Sequence, residues 1–409
     1  MALGCGRRAM GMNRTVRWGL TVGVAAALAA VVVAQGGAPK AGAQKMPAFT
    51  YDPSWPKELP NKWIVGNIGA VWVDTKDHVW IAHRPGGTTG LSERFGLTGE
   101  AECCFPAPPV IEFDQAGKVV QAWGLIHDQK GAPLGKQVSG PYPEGAWPTS
   151  EHGITVDHTG HVWVDSSTPP SSLLKLTRDG KLVLRIGQTL GKVNSDTANL
   201  GGPTSMLVDP KTNEVFVADG YENRRVIVFD AATGAYKRHW GAYGKPPIED
   251  QAPSTGAVEK MGKVDPEKRR EQFDHVHCLT EDKAGLLYVC DRANNRVQIF
   301  RKDGTYVKEL LVAPDTKAFG SVMSVAFSPG TQEFMYVADG ANHKVWIYRR
   351  DTLELLGAFT GNGPGRGGGQ MLVIHTMGVD SKGNLYIGET IPGNRIQRFT
   401  FTGLVPVRK

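Results

Sequence analysis

Excess charge of one sign is scarce in this sequence once its first segment is set aside. The 409 residues include 46 basic and 40 acidic side chains, a formal balance of +6. Five of the basic residues, Arg7, Arg8, Arg14, Arg17 and Lys40, fall in residues 1–43, where no acid occurs. The remainder balances to within one charge, so the composition offers no basic face for nucleic-acid phosphates. Long apolar runs are absent after Ala34, and no later segment is expected to span a bilayer. Cysteine is sparse, at five residues. What is abundant is turn material, with 51 glycines and 26 prolines in no collagen period, which points to many short strands. An apolar fraction of 41% against 21% charged is enough to bury a core.

The basic N-terminus has its own reading. Four arginines precede the apolar run Leu20 to Ala34, and Ala41-Gly42-Ala43 has the form of a cleavage site. The run is about 15 residues, short of the ~20 that cross a membrane. Residues 1–43 are therefore expected to be a secretory signal peptide and 44–409 one exported domain, periplasmic or extracellular, with no span after removal. Cys5 leaves with the signal. Cys103, Cys104, Cys278 and Cys290 remain, an even number that permits disulfides in an exported protein. Cys278 and Cys290 fall on what read as neighbouring strands and can pair. Cys103 and Cys104 are adjacent in a Pro- and Gly-rich loop, with no Cys or His at ligand spacing.

A strand–turn–strand pattern repeats along the chain. Ala70-Val-Trp-Val-Asp74 leads to His78-Val-Trp-Ile-Ala82, and Gly153-Ile-Thr-Val-Asp157 to His161-Val-Trp-Val-Asp165. Ser205-Met-Leu-Val-Asp209, Cys278-Leu-Thr-Glu-Asp282, Ser324-Val-Ala-Phe-Ser328 and Met377-Gly-Val-Asp380 open four further units. A second hairpin follows each unit, as in Val226-Ile-Val-Phe-Asp230, although the last, from Ile396, is short. Alternating apolar, β-branched and aromatic residues between Asp/Gly turns make these strands. Four strands per unit and six units predict an all-β, six-bladed β-propeller. Residues 85–107, 125–150 and 245–271 read as loop insertions. Ring closure is left open: residues 46–58 can add a strand to the last blade, or Leu404-Val-Pro-Val can complete it.

The first strand of each blade lines a propeller's channel. Counting five residues back from the Asp that ends it gives His152, His277 and His375 on the second, fourth and sixth units. Gly69, Thr204 and Met323 take that place on the others. Alternate blades lie about 120° apart, so the three imidazoles are expected to converge as a metal site, with zinc suited to the ligand type. His275, two residues before His277, is expected on the same strand face. Arg84, Tyr221 and Arg292 follow the second strands of three blades, near one mouth. Two guanidiniums beside a metal suit a substrate with a carboxylate, and a tyrosine among cations can act as a base.

The strings Val217 to Val226 and Val289 to Val297 look like NHL repeats. Ile81-Ala-His-Arg84, His152-Gly-Ile-Thr-Val-Asp157, Ala218-Asp-Gly-Tyr221, His277 to Arg296 and His375 to Gly388 together resemble the peptidyl-α-hydroxyglycine α-amidating lyases. The resemblance implies zinc on His152, His277 and His375, a catalytic Tyr221, and functional arginines at Arg84 and Arg292. It implies cleavage of a carbinolamide C–N bond in a small-molecule or peptide substrate, giving an amide and glyoxylate. It also implies a calcium on the backbone carbonyls of Val71 and Ile154, but the Asp expected just after the third histidine is Thr376 here. The family's disulfide cysteines do not fall on the cysteines of this chain. Two other readings stand beside this one: a metallohydrolase on the same channel site, and a non-enzymatic propeller that binds a protein or glycan.

Overall fold

The computed structural model describes residues 44–85, 96, 99–126, 142, 147–191, 193–249 and 271–407. The expected signal peptide at 1–43 lies outside the described residues, as do parts of the three insertions. Among the described residues, the strands form six four-stranded antiparallel sheets and one short parallel pair, Trp63–Ile64 with Phe105–Pro106. Each sheet is one blade. The six first strands are Asn67–Val73, Glu151–Val156, Pro203–Asp209, Val276–Glu281, Ser324–Phe327 and Ile374–Val379. Consecutive first strands touch around the whole circle, the sixth against the first. The expected six-bladed β-propeller is the fold.

The repeated Asp is explained by the turn after each first strand. Asp74 Oδ1 accepts the N–H groups of Lys76 and His78, and Asp157, Asp282 and Asp380 cap their turns in the same way. The other oxygen accepts from an aromatic six residues on: Trp80, Trp163, Tyr288 or Tyr386. One carboxylate thus fixes both a turn and the buried ring beside it. Between blades the apolar faces interlock in six clusters, one for each neighbouring pair. Charged latches tie several neighbours at the same level, such as Arg178 to Asp74, Lys302 to Asp209 and Arg350 to Asp282.

Closure uses both ends of the domain. Lys45–Tyr51 is the outermost strand of the sixth blade, paired antiparallel with Arg395–Pro406. The third strand there is therefore 12 residues long, not short as its sequence suggested. Leu404 to Pro406 extend that strand and face Lys45 to Pro47. Cys278 pairs with Cys290, and Cys103 with Cys104.

Candidate metal centre

The channel-facing residues owe their aim to a repeated irregularity. In the fourth blade Val276 faces Asp291 and Cys278 faces Cys290, which leaves His277 as an extra residue in a β-bulge. The sixth blade does the same at His375, between Ile374 and Thr376, and the first at Gly69, between Ile68 and Ala70. Thr204 sits at the same shift in the third blade, and His152 within that of the second. A bulge bends its strand and re-aims one side chain. Here it turns the residue five places before the turn Asp toward the axis.

His152, His277 and His375 converge there. Their ring centroids lie 4.7–5.0 Å apart, and one ligand nitrogen from each lies within 4.8 Å of the others. Each Nδ1 donates to the backbone carbonyl of the residue at the equivalent place in the next blade: His152 to Thr204 at 2.7 Å, His277 to Met323 at 2.8 Å, His375 to Gly69 at 2.8 Å. A carbonyl only accepts, so Nδ1 carries the proton and the Nε2 lone pair of every ring is turned inward. Burial, then neighbouring positive charge, holds His152 and His277 well below the ordinary imidazole range, and His375 is lowered to about 3. Nε2 of His277 is buried without a hydrogen-bond partner. Three neutral imidazoles with an orphaned inward lone pair fit a divalent metal. His152, His277 and His375 would hold it.

Tyr221, Arg292 and Arg84 gather on the mouth side of this level. The Tyr221 hydroxyl stands 3.0 Å from His152 Nε2 and, given the tautomer, donates to it. Arg292 Cζ lies 5.8 Å above the Tyr221 ring. Arg292 is 7% exposed, and its Nε has no hydrogen-bond partner. Arg84 crosses from the first blade to donate Nε to the Glu151 carbonyl at 2.9 Å. Both guanidiniums depress the affinity of His152 and His375 for protons.

His275 departs from expectation. It precedes its strand in the left-handed region, φ 63°, so strand alternation does not govern it. It stays out of the triad and sets its ring perpendicular to Tyr221 at 5.5 Å. Its carbonyl accepts the Arg292 N–H at 3.0 Å. Two buried acids also escaped the sequence reading. Burial raises Glu151 to about 8 and Asp165 to about 7, partly offset by the charge of Arg84. Their only signal was adjacency, Glu151 to His152 and Asp165 to the end of the second strand.

Below the histidines the channel encloses about 90 Å³ and includes Val71 and Ile154. The Thr376 hydroxyl there accepts the Val71 N–H at 3.2 Å, and among the described residues no carboxylate lines the cavity. The residues present do not fit a calcium site. A second group of metal-capable atoms, Asp74, His78 and Glu112, lies between the first two blades. Arg178 already bonds both of its acids, which makes it a latch.

Fold and site define a β-propeller with a three-histidine centre on its axis. The chain is 30% identical over 182 residues to peptidyl-glycine alpha-amidating monooxygenase B of Xenopus laevis, across 44% of this chain and 18% of that protein. It is 31% identical over 150 residues to a probable peptidyl-alpha-hydroxyglycine alpha-amidating lyase of Caenorhabditis elegans, across 36% of each. The match thus spans well under half of these curated relatives. A solved protein of unknown function from Bacteroides thetaiotaomicron shares the fold, with a TM-score of 0.50 at 10% identity, over 88% of this chain and 76% of that one. No family model matches the chain. The chain is related in sequence to the α-amidating lyases and has the six-bladed propeller that the resemblance implied.

Proposed function

We propose that the channel is a metal-dependent lyase site. Its substrate is an N-acyl or peptidyl α-hydroxyglycine, split at the carbinolamide C–N bond into a primary amide and glyoxylate. One observation carries the reading: a buried guanidinium, Arg292, is left without a carboxylate partner among the described residues. It lies above a tyrosine whose hydroxyl reaches the three-imidazole centre. An unpaired buried cation is costly, and a substrate carboxylate relieves it.

Arg292 and Arg84 hold that carboxylate and so place the adjoining carbinol carbon under Tyr221. Tyr221 oxygen receives the hydroxyl proton. As the carbonyl of glyoxylate forms and the C–N bond breaks, the phenol's own proton passes from Tyr221 to the departing amide nitrogen, so that Tyr221 ends protonated as it began. Amide and glyoxylate then account for every substrate atom. A zinc ion on the three histidines would supply a Lewis acid for the negative charge that develops on substrate oxygen. With the basic and apolar segment at 1–43, the reading includes export to a periplasm or extracellular space.

Metal analysis of the purified protein, beside His277→Ala, tests the centre. About one zinc per chain, lost in the variant, is expected. Glyoxylate release from α-hydroxyhippurate then tests the reaction. A chain that takes up no metal after zinc reconstitution would overturn the lyase and leave a binding propeller.

A further inference from the structure

We propose that the Cys278–Cys290 disulfide is a positioning element of the metal centre, fixing the bulge that aims His277 into the channel. The inference rests on the reading that the three histidines hold a metal. Cys278 directly follows His277, and Cys290 lies two residues before Arg292. The two cysteines face each other across the ladder, with Cα atoms 4.8 Å apart, on the first regular pair after the bulge.

A bulge is one unpaired residue, and a one-residue slip of register sends each side chain to the opposite face of the sheet. A slip here would carry His277 out of the channel. On the mouth side the register is pinned by hydrogen bonds: Asp274 N–H to Asp291 Oδ1, and Arg292 N–H to the His275 carbonyl. On the other side a covalent bond pins it. The other histidine blades carry no such bond, since Thr376 faces Gly388 and Ile154 faces Val164. They have other braces. Thr376 accepts from Val71 of the next blade, and Gly153 N–H donates to Asp165 at 2.7 Å. His152 is also held at both ring nitrogens, whereas His277 is held at Nδ1 alone. His277, like His375, is held by its ring at Nδ1 alone, and its aim otherwise depends on its backbone.

The disulfide is buried among apolar side chains between the fourth and fifth blades, so a role in packing must be separated from the tether. Two double variants do this. Cys278→Ala/Cys290→Ala removes bond and volume, while Cys278→Val/Cys290→Val restores a well-packed cross-strand pair without the bond. Zinc release to a chromogenic chelator is followed at a temperature where circular dichroism shows each protein folded. Both variants are expected to release zinc about tenfold or more faster than wild type. Cys103→Ser/Cys104→Ser is expected to match wild type. Wild-type rates in the Val/Val protein overturn the proposal and leave the metal reading intact. A wild type that retains no zinc overturns both.

Should the substituted chains fail to fold, wild type reduced by a phosphine reads the tether directly. The phosphine gains the oxygen of one water, and the two sulfurs gain two electrons and that water's protons. Faster release from protein with both thiols titrated supports the proposal, and an unchanged rate overturns it.

Discussion

The hydroxyl of Tyr221 donates to Nε2 of His152 at 3.0 Å, which makes the phenol a competitor for the lone pair a metal needs. Nδ1 of that ring is committed to Thr204, so no second tautomer relieves the conflict. Tyr221→Phe is therefore expected to bind zinc as tightly as wild type or more tightly. Its turnover is expected to fall at least about a hundredfold, because the proton acceptor is gone. Zinc titration and glyoxylate assay on one preparation check both halves. A variant that keeps its turnover would remove Tyr221 from the chemistry.

Arg292 sets function against stability. Removing a buried charge that lacks a partner is often neutral or stabilising. Arg292→Met is expected to raise Tm by a few degrees and to raise KM about tenfold or more. Calorimetry beside steady-state kinetics reads the two effects. A drop in Tm would show that the guanidinium is paired within the fold.

Gly69 tests the ring of carbonyl acceptors. A Cβ there would lie 2.5 Å from the Glu151 carbonyl oxygen and 3.0 Å from the His152 Cα, both backbone atoms that cannot swing aside. Gly69 also supplies the acceptor for His375. Gly69→Ala is expected to cost about 2 kcal/mol or more of stability and to weaken zinc retention, although it replaces no ligand. Denaturant melts and the zinc-release assay would show it, and a wild-type result in both would refute the close approach.

Glu151 gives the metal-free protein a pH dependence. Its carboxyl, raised by burial to about 8, keeps its proton in the fold where the unfolded chain, near 4.5, has lost it. Its contribution to stability is whole below 4.5 and is lost as pH climbs toward about 8. Glu151→Gln does not titrate. Between pH 5 and 8 wild type is expected to lose stability relative to this variant, on the order of a few kcal/mol. Parallel denaturant curves across that range decide it, and a constant difference would contradict the raised carboxyl.

The blades were legible because one residue performs the same task in several of them. Asp74, Asp157, Asp282 and Asp380 cap a turn and hold an aromatic, so their spacing shows at once in the chain. The histidines were legible for the same reason, lying at a fixed offset from that Asp. The bulges were not. A bulge is defined by what faces it, and Asp291 and Cys290, which face the neighbours of His277, lie on another strand. His275 was misplaced for this reason, since alternation fails where the backbone turns left-handed. The lack of a carboxylate partner for Arg292 among the described residues and the raised carboxyls of Glu151 and Asp165 are properties of burial, which a sequence of short strands does not rank. The fourth strand of the last blade lay over 340 residues from its partner, where no local pattern reaches.

That long-range pairing orders events in time. Lys45–Tyr51 is made first and has no ladder to join until Arg395–Pro406 emerges. His375 lies in the same last blade, and its acceptor, Gly69, lies across the seam in the first. Two of the three ligands can be in place while the circle is open, but the third arrives only with its closing. A metal held by the three histidines would thus be a late guest, and its uptake would report that the last blade has met the first.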